Sequence, residues 1–264
     1  EVMGTSRYET FDVYWPLLFP SQKDQITLSI RGVGERTPRT LSVAPSPTAQ
    51  REDKAAPAKP EASNPVGWNF RMLDEGIGFL EMPDWALYNT KWDWKAYLND
   101  VFRQLISSKA TALVIDLRAN EGGSDVGDEI VAHLTTRPAK RQAVERRVRY
   151  RKPPEALNPF LDTWDDSFRD WGRAALDLDA RFFRLRRDAD DDPAAPIAPQ
   201  APRFAGRVYA LIGATNSSAT FEFAQTLRQN GLGTLVGQTT GGNQRGINGG
   251  AFFFLRLPKS GLEI

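Results

Sequence analysis

The apolar run Val208 to Ile212 hands over, across Gly213 to Ser217, to a helical pattern that opens on a serine, Ser218. This junction constrains the chain more than any other feature. The run has the length and composition of a buried strand, and Phe223, Ala224 and Leu227 recur at the spacing of one helix face. A serine here lies beside the unpaired N–H groups of a helix N-terminus, which can stabilise developing negative charge. Acyl-transfer enzymes place a nucleophile beside an oxyanion hole in this way. Ser217 or Ser218 could equally serve only to cap the helix.

A second junction has the same form. Thr111 to Gly123 reads TALVIDLRANEGG, with Ala112 to Leu117 as a buried-strand candidate and a helical pattern over 125–134. Paired glycines after a strand let the backbone turn sharply and approach a ligand closely, because no Cβ intervenes. Taken alone, Gly122-Gly123 is common in strand-to-helix loops.

Together the two segments resemble the S41 serine peptidases, the family of C-terminal (tail-specific) processing peptidases and tricorn-like proteases. The family's D-L-R-x-N-x-G-G pattern is matched by Asp116, Leu117, Arg118, Asn120, Gly122 and Gly123. Its nucleophile segment, laid without gaps against the following G-x-x-x-x-V-G strand (Gly231 to Gly237), puts the nucleophile on Ser218 and the next alanine on Ala219. The resemblance spans roughly 78–250. It implies an α/β fold with a crotonase-like (ClpP/crotonase) core. It also implies a serine peptidase that cleaves protein or peptide substrates through an acyl-enzyme on Ser218. Ala219 and one of Gly122 or Gly123 would supply the oxyanion hole. Family members of this kind are exported, periplasmic or extracellular, and the resemblance implies the same here.

The resemblance leaves the general base open. Tail-specific relatives carry a lysine 25 residues after the serine, and that position is Asn243, followed by Gln244 and Arg245. An amide is no base, and arginine does not deprotonate a serine near neutral pH. Tricorn-like relatives use a histidine in an early strand, and Glu81 stands at that place in Gly78 to Asp84. Burial could raise a glutamate toward neutrality, or Glu81 could be a surface carboxylate. The single histidine, His133, falls late in its helical segment, on the order of 15 Å from the helix start, and reads as structural. Lys91 lies in a segment with Trp85, Trp92 and Trp94, where desolvation could make it a base or leave it a surface cation over an aromatic ring. Lys259 is a weaker candidate. The three tryptophans suggest an aromatic wall or a packing anchor.

Residues 241–250 are rich in glycine and amides and then run into a strand signal at Ala251 to Leu255. Asn243 and Gln244, with Asn248, could hydrogen-bond a substrate backbone, and Arg245 could grip a carboxylate. Tyr88 is a further polar candidate for substrate contact. A plain connecting loop fits the same residues.

Composition narrows the alternatives. With 264 residues, 41% hydrophobic, the chain can bury one large core plus a small appended unit. A net charge of +1 gives no electrostatic footprint for nucleic acid. The absence of cysteine excludes disulfides and thiol catalysis, and one histidine excludes a histidine-rich metal site. No metal or other cofactor is expected. No apolar run reaches membrane-spanning length. Oligomeric state is left open.

The expected organisation has three parts. Residues 1–44 form a β-rich segment, with strands near 25–30 and 40–43, read as the end of an upstream domain. Residues 45–65 form a Pro/Ala-rich linker. Residues 66–264 form the catalytic domain, with an insertion at 139–202. Trp164, Phe168, Trp171, Ala175 and Leu178 space as one helix face, predicting an amphipathic helix over 162–187 that packs on the core or forms a lid. The first residue, Glu1, and the strand-like end at Ile264 suggest a longer natural protein. Two other function classes stay in view: a catalytically inactive S41-like protein that binds peptide or glycan in the same groove, and an acyl-CoA enzyme with a related core.

Overall fold

The structure is a computed structural model that describes residues 26–31, 34–44, 64–142, 145–186, 195–242 and 252–264. Its centre is a five-stranded sheet. In chain order the strands are β3 (Asn69–Leu73), β4 (Ile77–Glu81), β5 (Ala112–Asp116), β10 (Arg207–Ile212) and β11 (Thr234–Gly237). Their spatial order is β11-β10-β5-β4-β3. The first four of these run parallel to their neighbours, and β3 closes the edge antiparallel to β4. Both strands read from the sequence, over 112–117 and 208–212, are therefore central and adjacent. This is a mixed α/β architecture with a central sheet.

Among the described residues three α-helices pack with this sheet: α1 (Trp94–Ser107), α2 (Val126–Leu134) and α3 (Ser218–Gln229). The core they share includes Leu80, Leu113, Ile115 and Ala210 from the strands, and Leu98, Phe102, Leu105, Ile130 and Leu227 from the helices, all with no exposed surface. Burying each such large apolar side chain is worth about 1.5–3 kcal/mol. α1 is a helix the sequence reading did not single out. Asp93 caps it by accepting the Ala96 N–H at 2.9 Å, and its apolar positions at Leu98, Val101, Phe102 and Leu105 have one-face spacing.

The tryptophans form an anchor, not an open wall. Trp85 has no exposed surface. Trp92, Trp94 and Tyr97 surround Trp68 with ring centroids 5.1, 6.3 and 6.0 Å from it. Trp68 Nε1 donates to the Asp84 carbonyl at 2.7 Å. His133 is equally embedded: its ring stacks on Phe102 at 4.3 Å and its Nδ1–H donates to Pro202 O at 2.7 Å.

The alternating run near the start forms β1 (Ile26–Ile30), paired antiparallel with β2 (Arg39–Val43). The segment over 162–187 does not form the expected amphipathic α-helix. It holds short 3₁₀ turns at Asp166–Arg169 and Gly172–Ala174, with the strands β7 (Leu161–Thr163), β8 (Ala175–Asp177) and β9 (Phe183–Leu185) around them. The cause is local competition by aspartate. Asp165 Oδ1 accepts the Ser167 N–H, Asp170 Oδ1 accepts the Gly172 N–H, and Asp179 Oδ1 accepts the N–H groups of Arg181 and Phe182. Each of these contacts offers the backbone a turn in place of a helical bond. β9 pairs with both β8 and β6 (Arg147–Val148), and β7 pairs with β12 (Phe253–Leu255), the strand expected near 251–255. Ala139 and Ile197 exchange two backbone hydrogen bonds of 2.9 Å. No helix among the described residues is long and apolar enough to cross a membrane.

Candidate active site

β5 and β10 are parallel hydrogen-bonded neighbours, so the loops leaving their C-terminal ends lie side by side at one end of the sheet. The β5 loop runs from Leu117 to Asp125, and the β10 loop from Gly213 to Ser217. α3 then begins at Ser218.

Ser218 has φ +48°, a left-handed conformation that is uncommon away from glycine. Such strain persists only where the surrounding structure over-determines it, and it clusters at functional sites. Ser217, the helix N-cap residue, makes no side-chain capping bond. Its Oγ donates instead to the Glu121 carbonyl at 2.7 Å. The simple capping explanation for the serine pair therefore lacks its hydrogen bond.

The two glycines of the β5 loop fill the gap between two backbones. Gly122 has φ +119° and Gly123 φ +134°. A Cβ on Gly122 would meet Ser218 Cβ at 2.6 Å and Ser217 O at 3.0 Å, and one on Gly123 would meet the Trp85 carbonyl group at 2.3 Å. Close approach, and not the turn alone, requires glycine at both positions. The Gly122 N–H donates to Asn120 Oδ1 at 2.9 Å. That N–H is therefore engaged within its own loop. Among the described residues, the N–H groups of Gly123 and Ala219 donate no hydrogen bond. Ala219 lies in the first turn of α3, where the helix dipole favours negative charge.

Asn120 and Asn216, which sequence reasoning did not assign, tie the loops together. Both are fully buried. Asn120 Nδ2 donates to Met82 O just beyond β4, and its Oδ1 also accepts the Thr220 hydroxyl at 2.6 Å. Asp116 anchors the start of the same loop by accepting Arg118 Nε at 3.0 Å and Nη2 at 2.7 Å. Burial pushes the Asp116 carboxyl up, but the hydrogen bonds and charge of Arg118 outweigh it and hold the group below the usual range.

The candidate bases are placed differently. Glu81 ends β4 in register with Asp116. Its side chain is 47% exposed and pairs with Arg71 at 3.8 Å, so the burial that a base role required is absent. Lys91 is exposed, so the desolvation that its base role required is likewise absent; it makes no hydrogen bond or ion pair among the described residues, and Lys259 is exposed near the chain end. Tyr88 is 69% exposed in a turn between Trp85 and α1. No hydrogen bond from any described residue reaches Ser218 Oγ. Asn243, Gln244, Arg245 and Asn248 lie outside the described residues. Among the described residues no three His, Asp or Glu side chains gather where they could hold a metal ion.

A family model for Peptidase family S41 matches residues 76–250, and the chain belongs to that family. The matched region contains Ser218, the Asp116 to Gly123 loop and the whole central sheet apart from β3. Among solved structures, mature CPAF is similar at 17% identity, with 90% of this chain and 57% of that one covered and a TM-score of 0.47. The photosystem II D1 C-terminal processing protease gives 14% identity, 82% and 43% coverage and a TM-score of 0.37. A protein from Parabacteroides merdae ATCC 43184 described as a peptidase gives 19% identity, 67% and 45% coverage and a TM-score of 0.44. The chain thus spans about half the length of the structures it matches. No curated protein matches it.

Proposed function

We propose that the chain carries the nucleophile and oxyanion hole of a serine peptidase acting on protein or peptide substrates. The carrying observation is the meeting of Ser218, held at φ +48° at the start of α3, with Gly122 against its Cβ. Ser218 Oγ attacks the scissile carbonyl carbon. Its proton passes to a general base, and the carbonyl oxygen becomes an oxyanion. The N–H groups of Gly123 and Ala219 stabilise that charge. Collapse expels the amine, which takes a proton, and leaves an acyl-enzyme on Ser218. Water then attacks the ester, releases the second product and returns the proton to Ser218 Oγ.

Lys91 and Glu81 are the base candidates, and the pairing of Glu81 with Arg71 favours Lys91. Asn243, Gln244, Arg245 and Tyr88 are proposed to contact substrate, with Arg245 suited to a C-terminal carboxylate. Tail-specific cleavage, an exported location and a crotonase-like core are parts of the same reading. So are the divisions at 1–44, 45–65 and 66–264 and the treatment of 139–202 as an insertion.

A second reading, an inactive S41-like binder of peptide or glycan, is favoured by Asn243 where relatives carry lysine and by a Ser218 Oγ that has no hydrogen-bond partner among the described residues. Incubation of the full-length protein and its Ser218→Ala variant with an unfolded protein, followed by mass-spectrometric mapping of new termini, separates the two. New termini from the parent alone support the peptidase. Saturable peptide binding with no new termini from either supports the binder.

A further inference from the structure

We propose that Asn216 is a positioning residue that fixes the separation of Ser218 from the Gly123 N–H, an inference that rests on the reading of Ser218 as the nucleophile. Asn216 Nδ2 donates to Leu117 O at 2.6 Å and to Asn120 O at 2.7 Å. Its Oδ1 accepts the Gly213 N–H at 2.8 Å. Its own backbone carbonyl accepts the Gly241 N–H at 2.9 Å, at the entry to the glycine-rich stretch. Both amide hydrogens and the amide oxygen are thus engaged, in a side chain with no exposed surface.

The neighbouring contacts run in the same direction. Thr215 Oγ1 donates to Arg118 O at 2.9 Å, Ser217 Oγ to Glu121 O at 2.7 Å, and Thr220 Oγ1 to Asn120 Oδ1 at 2.6 Å. Donors on the nucleophile side therefore take up the carbonyls of Leu117, Arg118, Asn120 and Glu121. The Gly123 N–H, further along the same loop, has no partner among the described residues. Asn216 is the member of this set that bridges two carbonyls, one on each side of the Arg118-Ala119 turn. Only an amide side chain combines two donors on one nitrogen with an acceptor, and glutamine would add a methylene between the loops. Removing the side chain leaves the buried Asn120 carbonyl and the part-buried Gly213 N–H without these partners, while the Leu117 carbonyl keeps only the Asn120 N–H at 2.8 Å. The loops then drift, and a misplacement of about 1 Å can cost about 100-fold in rate.

Asn230 provides the matched control. It also makes three side-chain bonds, from Nδ2 to Lys140 O and Thr226 O and from the Lys140 N–H to Oδ1. It lies at the other end of α3, about 18 Å from Ser218.

The test compares wild type, Asn216→Ala, Asn216→Ser, Asn230→Ala and Ser218→Ala. The readouts are the saturation kinetics of labelling by an alkyl fluorophosphonate and urea unfolding. The expected result for Asn216→Ala is a maximal labelling rate lowered about 100-fold, with half-saturation nearly unchanged. Asn230→Ala should lower the urea midpoint yet label at the wild-type rate. Asn216→Ser keeps one donor in a small volume and should fall between; it carries the test if Asn216→Ala does not fold. Wild-type labelling of a folded Asn216 variant, or equal slowing by Asn230→Ala, overturns the inference while leaving the nucleophile intact. If wild type labels no faster than Ser218→Ala, the nucleophile reading itself fails and the inference with it.

Discussion

Gly122 and Ser218 stand so close that a Cβ on the glycine would lie 2.6 Å from the Cβ of the serine. The motif glycine and the candidate nucleophile, far apart in sequence, are one steric unit. Gly122→Ala must move the loop or the serine, at a left-handed backbone position that L side chains resist. The expected cost is about 2–4 kcal/mol, read by urea unfolding, together with loss of fluorophosphonate labelling in the folded fraction. Unchanged labelling would show that the loop does not shape the site.

Gly123→Ala tests the opposite wall. Its Cβ would meet the Trp85 carbonyl group at 2.3 Å, pushing apart the Trp85–Gly123 bridge. Labelling should fall in the folded fraction, with folding read by urea unfolding. A variant with normal labelling and normal stability would contradict the contact.

His133 gives a pH dependence. Burial lowers its pKa, against the opposing pull of the Pro202 carbonyl and Glu129. The folded state therefore binds a proton less readily than the unfolded state. This contribution is complete above the unfolded pKa of about 6.5 and is lost as pH falls through the lower folded value. Unfolding free energy measured from pH 8 to 5 should drop, and the drop should shrink in His133→Gln.

Asp128 has the opposite sign. Burial, with Asp125 and Glu222 adding to it and Arg141 opposing it, pushes its carboxyl up to about 6. Its contribution is complete below the unfolded value of about 3.9 and is lost as pH rises through about 6. Asp128→Asn should therefore gain stability relative to wild type at pH 7.5 and little at pH 4. Equal effects at both pH values would exclude the titration.

The parts of the site written in local pattern were legible. Strand-to-helix handovers at Asp116 and Ile212, and glycines where two backbones nearly touch, are short-range signals. The parts held by long-range contacts were not. Asn216 reaches carbonyls 99 and 96 residues earlier, and no local spacing marks such an amide. The 162–187 segment misled because its aromatic spacing is helical while Asp165, Asp170 and Asp179 turn the backbone. α1 was hidden by the tryptophan cluster, whose residues read as either an aromatic wall or a packing anchor until Trp68 was seen to gather them.

The central claim is that Ser218 is the nucleophile. The most direct measurement is intact-mass and peptide mapping of the full-length protein after exposure to an alkyl fluorophosphonate, beside its Ser218→Ala and Ser217→Ala variants. A single adduct on Ser218, retained in Ser217→Ala and absent from Ser218→Ala, is the predicted result. An adduct on Ser217, or none on either serine in a folded and full-length protein, would contradict it.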